Sequence, residues 1–198
     1  GRRRIVRVGA FLILAAAGMI AGGAAIGQAA PADRALIAAA QRGDTAEVGR
    51  LLAAGASVKE RDDAGRTALL AATQGNHVAV ARLLIAAGAD VNAQDAIADS
   101  PFLLAGASGH LEILKLTLAA GADLASVNRY GGTALIPAAH YGHVETVRTL
   151  LATKIAVDHV NRLGWTALLE AIILGDGGAA HTEIVRLLVA HGAKLQLA

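Results

Sequence analysis

The sequence predicts an all-α solenoid: a stack of about five helix-turn-helix repeats, each with a β-turn finger, preceded by an N-terminal signal-peptide helix. Three observations carry that prediction. Self-similarity at a period of 33 runs through residues 33–198, and fixed periods of 20–50 residues mark stacked repeat architectures. The units share a Thr or Ser before an Ala/Leu-rich run, then a Leu-Leu pair, then Gly-Ala. Aromatic residues make up 3% of the chain against 55% hydrophobic, which suits short helices packed closely on small side chains.

The first element is an address rather than part of the fold. Arg2, Arg3, Arg4 and Arg7 form a basic tip, and residues 8–26 are uncharged and rich in Ala, Gly, Leu and Ile. Two small-residue exits follow, Gly27-Gln28-Ala29 and Ala30-Pro31-Ala32. Positive tip, apolar middle and small-x-small exit are the parts of a secretory signal. The chain therefore divides into a leader, 1–32, and a repeat domain, 33–198. An uncleaved inner-membrane anchor is the alternative, since about 20 apolar residues span a bilayer. Arg2-Arg3-Arg4-Ile5-Val6-Arg7 also fits the twin-arginine export pattern loosely. The net charge of +2 belongs to this tip: without it, 14 Lys and Arg face 16 Asp and Glu. A domain-wide basic footprint for nucleic acid is absent.

The repeats fall at about 33–60, 61–93, 94–126, 127–159 and 160–198. In the second unit the landmarks are Gly65, Thr67-Ala68-Leu69, His77, Leu83-Leu84 and Gly88-Ala89-Asp90. Steps of 33 lead to Ser100-Pro101-Phe102, Gly109-His110 and Gly121-Ala122-Asp123, and then to Thr133-Ala134-Leu135 and Gly142-His143. The fifth unit keeps Thr166-Ala167-Leu168, but its His181 arrives 38 residues after His143, so five residues are inserted around 175–180. The first unit is atypical and keeps Gly43-Asp44 and Leu51-Leu52. Thr67, Ser100, Thr133 and Thr166 stand where a helix N-cap oxygen is needed. Gly88, Gly121 and Gly192 stand where a left-handed residue ends a helix. A pair of such short helices cannot bury its own apolar face, so neighbours supply the core.

In that register the chain resembles the ankyrin repeat family, whose pattern runs turn, Thr-Pro-Leu-His, Gly-His, Leu-Leu, Gly-Ala-Asp. The resemblance implies two antiparallel helices and a protruding turn per repeat, with partners bound on the concave face and fingertips. Only Ser100-Pro101 keeps the proline; Ala68, Ala134 and Ala167 replace it. Leu70, Leu103, Ile136 and Leu169 replace the first histidine, and Lys154-Ile155-Ala156 replaces Gly-Ala-Asp. His77, His110, His143 and His181 match the Gly-His position, which the family uses to start the second helix and to hydrogen-bond between repeats. As a metal set they are spaced wrongly: layers of packed helices stand roughly 10 Å apart, whereas zinc ligands lie at about 2.0–2.1 Å from the ion.

No catalytic constellation emerges. Cysteine is absent, which removes disulfides, thiolate metal sites and thiol nucleophiles. Residues 175–178 are Gly-rich but lack phosphate-loop spacing, G-x-S-x-G and H-E-x-x-H do not occur, and neither cofactor nor metal is expected. Asp62, Asp63, Asp95 and Asp99 read as solvated fingertip charges. Phe102 shares the core register of Leu69, Leu135 and Leu168. Tyr130, Tyr141 and Trp165, with Arg129, His140 and Arg162 beside them, fall at turn and first-helix-end positions that the resemblance turns towards partners. Tyr, Trp and Arg are also enriched at binding hot spots. The expected function is non-catalytic protein binding in the bacterial periplasm, by a monomer, through Arg129, Tyr130, His140, Tyr141, Arg162 and Trp165. Roles that the resemblance offers are a toxin-neutralising immunity protein and an accessory to catalase-linked peroxide protection; a retained leader would make a membrane-tethered scaffold instead.

Overall fold

Thr67, Ser100 and Thr166 each turn a side-chain oxygen onto the backbone N–H three residues on, at 3.2, 3.2 and 3.3 Å. Each so starts the first helix of a repeat. The computed structural model describes residues 31–195, and within them five such helix pairs follow one another. The first helices are α1 (Pro31–Arg42), α3 (Ala68–Gln74), α5 (Pro101–Ala107), α7 (Leu135–His140) and α9 (Ala167–Ile173). Their partners are α2 (Thr45–Ala53), α4 (Val78–Ala86), α6 (Leu111–Ala119), α8 (Val144–Leu151) and α10 (Ala179–Ala190). First helices pack on first helices and second on second along the chain, which makes two rows. No strand occurs among the described residues. The leader expected at 1–32 falls almost wholly outside them; Pro31 and Ala32 form the exposed start of α1.

Between the rows lies one continuous core. Leu69, Phe102, Leu135 and Leu168 are buried at one register, as the repeat alignment requires. Gly88, Gly121 and Gly192 follow α4, α6 and α10 with φ of 86°, 87° and 86°. In the fourth repeat the Thr153 hydroxyl does this work instead: it donates to Leu150 O at 2.6 Å and accepts from Ile155 N at 3.2 Å. Ile155 then fills the core place that Ala89 and Ala193 hold elsewhere.

One expected cap fails. Thr133 makes no cap bond, and its hydroxyl is buried without a partner. Pro137 is the cause. An α-helix would bond the N–H of residue 137 to the carbonyl of 133, and proline has none. The Ile136 N–H takes Thr133 O at 3.2 Å instead, which tightens the first turn and leaves α7 six residues long.

The histidines do tie repeat to repeat. The Nε2 atoms of His77, His143 and His181 reach the backbone oxygens of Gln41, Ala107 and His140 in the preceding repeat, at 3.1, 3.2 and 2.9 Å. His110 makes no such bond among the described residues. A Cβ placed on Gly43 or Gly109 would lie 2.5 Å and 2.6 Å from the next repeat's histidine ring. Asn76 occupies that place in the second repeat, at φ 52°, and this is the junction where the histidine bond is missing. The insertion forms a loop at 175–178 and the first turn of α10, which runs 12 residues where α4 and α6 run nine.

Candidate protein-binding groove

Each finger is held by one Asp or Asn at the same register. The Oδ1 atoms of Asp62, Asp95, Asn128 and Asn161 each accept two backbone N–H groups, two and four residues ahead. This is the Asx turn that makes these residues common in loops. Asp62 and Asp95 are therefore turn-forming side chains rather than free fingertip charges, and Asp62 also pairs with Arg66 at 2.7 Å.

The fingers approach closely where glycine allows it. Ala96 N–H donates to Ala64 O at 3.1 Å, and Arg162 N–H to Tyr130 O at 2.9 Å. A Cβ on Gly65 would lie 3.1 Å from Ala96 N, and one on Gly131 2.9 Å from the Arg162 side chain. In the third repeat that position is Ala98, at φ 61°. No corresponding bond joins Ile97 to Arg129, so the backbone pairing of the finger row is interrupted there, while Gln94 Nε2 still donates to Val127 O at 2.8 Å.

Beside the interruption lies a groove of about 570 Å³, bounded by the fingers of the third, fourth and fifth repeats and by α5, α7 and α9. Tyr130 and Tyr141 stand on it, 54% and 62% exposed. The Arg129 guanidinium sits over the Tyr130 ring, 4.8 Å from its centroid, a cation–π arrangement. The rings of His140 and Tyr141 lie 4.4 Å apart and tilted. Leu104, Ile136, Leu163 and Leu174 supply apolar lining.

Polar groups at the base form a braced set. Glu170, nearly buried, accepts from Asn161 Nδ2 at 2.9 Å and from His140 Nδ1 at 3.0 Å. The fifth finger, α9 and α7 are thereby tied together. With its Nδ1 donating to a carboxylate, a neutral His140 presents a bare Nε2 acceptor. Behind the groove, the His140 carbonyl accepts from His181 Nε2, and His181 Nδ1 meets Asp176 Oδ1 at 2.7 Å. Both ring nitrogens of His181 face acceptors, so the charged form is favoured. The carbonyl of His140 and then Asp176 hold its pKa above the ordinary histidine value.

Asp99 differs from the other acids. Its side chain is 23% exposed, and Arg129 Nη1 stands 3.6 Å from Oδ2, too far for a hydrogen bond. No hydrogen bond reaches its carboxylate among the described residues. Burial pushes the carboxyl above the usual range; Arg129 pulls it back only in part, and Asp95 adds to the rise.

Of the six side chains singled out in the sequence, Arg129, Tyr130, His140 and Tyr141 come together on this groove. Arg162 spans the finger row, its Nη1 donating to Arg129 O at 2.8 Å, and is not among the groove-lining residues. Trp165 is half-buried, its backbone closes the fifth finger, and it too lies outside the lining. Asp99, Glu170 and Asn161 were missed as groove residues. The repeat alignment held the signal for one of them: Ala38, Ala71, Leu104 and Pro137 precede Glu170 at its register.

A family model for ankyrin repeats, in three copies, matches residues 12–95 and 102–198. Among solved structures, an ankyrin repeat domain from Acinetobacter baumannii AYE is similar at 57% identity and a TM-score of 0.78, over 80% of this chain and 81% of its own. Another, an ankyrin repeat protein, is similar at 43% identity and 0.79, over 82% and 83%. No curated protein matches. Ankyrin repeats are generally protein–protein interaction modules and are typically non-catalytic. With five stacked helix pairs and this match over most of its length, the chain belongs to the ankyrin repeat family.

Proposed function

We propose that the chain is a non-catalytic binding protein that holds a protein partner in the groove between its third, fourth and fifth repeats. The observation that carries this reading is the convergence of Arg129, Tyr130, His140 and Tyr141 on one cavity bounded by fingers and first helices. Two exposed phenol rings, one beneath a guanidinium and one tilted against an imidazole, present large rigid contact area at small entropic cost. Arg162 and Trp165 support this surface from the finger row and beyond it.

The reading includes export. A leader at 1–29 or 1–32 would deliver the repeats to the periplasm. An exit after Ala29 would leave α1 whole, whereas one after Ala32 would remove Pro31 and put a new amine near the positive end of the helix dipole. Mass spectrometry of the mature N-terminus separates the two, and a retained leader would make the tethered scaffold. No helix among the described residues is long and apolar enough to cross a membrane.

Crosslinking in the periplasmic fraction, followed by affinity measurement on the partner recovered, tests the groove. Tyr130→Ala/Tyr141→Ala is expected to weaken that partner about 30-fold, the equivalent of a hot-spot loss of about 2 kcal/mol. Leu83→Ala, on the exposed side of α4, is expected to leave it unchanged. Equal loss from both variants, or loss from neither, removes the assignment.

A further inference from the structure

We propose that the groove takes an arginine side chain of the partner polypeptide, its guanidinium paired with the Asp99 carboxylate and its apolar neighbours laid against Leu104 and Leu163. This rests on the groove being the binding face, and goes further by naming what the partner presents there.

Asp99 is a part-buried carboxylate whose two oxygens accept no hydrogen bond from its own chain, and its one close cation, Arg129, stands at 3.6 Å. A carboxylate that has lost part of its water without gaining hydrogen bonds is costly. Ala98 stands where the other fingers carry glycine, and the backbone bond to the next finger is missing at this spot.

The surroundings select a cation rich in donors. Nearly buried Glu170 adds a second carboxylate to the base, and its bond to Nδ1 leaves Nε2 of a neutral His140 as an acceptor. Arg129, the groove's own cation, is already over the Tyr130 ring. Arginine fits better than lysine on three counts. Its fork matches both free oxygens of one carboxylate, its plane stacks on an exposed ring such as Tyr141, and its weaker hydration makes a half-buried site tolerable. Charge complementarity thus points to a basic residue flanked by apolar ones.

The test uses the full chain and the blocked peptide acetyl-Leu-Arg-Leu-amide, read by amide and ring chemical shifts. Shifts are expected at Asp99, Tyr130, His140 and Tyr141. Replacing the arginine by uncharged, isosteric citrulline is expected to weaken binding at least about tenfold. Asp99→Asn should produce the same loss on the arginine peptide and none on the citrulline peptide, with a melting temperature close to that of the unaltered protein. Arginine and citrulline peptides binding alike, or a glutamate peptide binding better, would overturn the assignment of arginine while leaving the groove as the face. Free L-arginine binding as tightly as the peptide would overturn the polypeptide as occupant. Shifts confined to residues away from the groove would sink both readings together.

Discussion

At the scale of single residues, two side chains with a Cβ hold a left-handed backbone where their repeat-mates are glycine, and each stands at a junction that lacks a bond between layers. Ala98 holds φ 61°, a conformation that costs an L-residue about 1–2 kcal/mol, and its finger lacks the backbone bond to the next. Asn76 holds φ 52° and stands where Gly43 and Gly109 let a histidine ring in. Ala98→Gly relieves the strain, and the pairing of Arg129 N–H with Ile97 O that becomes open to it adds about 1 kcal/mol. The extra freedom of glycine in the unfolded chain offsets about 0.5–1 kcal/mol of that. The expected outcome is a melting temperature higher by about 2–10 °C, with new exchange protection at the Arg129 amide. Gly131→Ala should move the other way, because its Cβ would meet the Arg162 side chain at 2.9 Å. A lower melting temperature for Ala98→Gly would mean that the interruption is not caused by this methyl group.

Elements were legible in the sequence to the extent that their signals are local. Thr67, Ser100 and Thr166 cap their helices because a hydroxyl before an Ala/Leu run has one useful place to point. Thr133 is followed by the same Ala-Leu pair as Thr67 and Thr166, yet Pro137, four residues on, decides its fate. Phe102 reads as core from its register alone. Glu170 does not read as a groove residue, since its partners His140 and Asn161 come from another helix and another finger, 30 and nine residues away. The 175–178 insertion was likewise opaque as a bare glycine run. Its content is Asp176, whose Oδ1 accepts from Gly178 N at 2.8 Å while meeting His181. The other ring nitrogen of that histidine, Nε2, ties the lengthened start of α10 to the His140 carbonyl at the end of α7. Asp176→Asn removes the charge that favours imidazolium but keeps an acceptor, so the His181 pKa is expected to fall towards its ordinary value without loss of the helix. A ring-proton titration by NMR reads this directly. An unchanged midpoint would assign the elevation to the His140 carbonyl alone.

At the scale of the whole molecule, a stack in which each repeat touches only its neighbours reports pH repeat by repeat. His110 and His143 are held below the ordinary histidine value of 6.5, both chiefly by burial; His143's charge lowers His110 further, and the Ala107 carbonyl partly offsets the effect at His143. Their neutral forms favour folding, so their contribution is whole above pH 6.5 and is lost as pH falls through the lowered folded values. His181 runs the opposite way. Its folded value is raised, so its contribution is whole below 6.5 and is lost as pH rises through that value. The third and fourth repeats are thus tightest in mild base and the fifth in mild acid. A melting curve of the entire chain averages these opposed changes and should vary little across neutrality. Hydrogen exchange, corrected for intrinsic rates, separates them. Between pH 8 and pH 5, amides of α6 and α8 are expected to lose protection and those of α10 to gain it. His181→Gln should abolish the gain in α10 while sparing the loss in α6. Protection that rose or fell uniformly along all ten helices would show that the stack responds as one cooperative body, and that these histidines do not act on their own junctions.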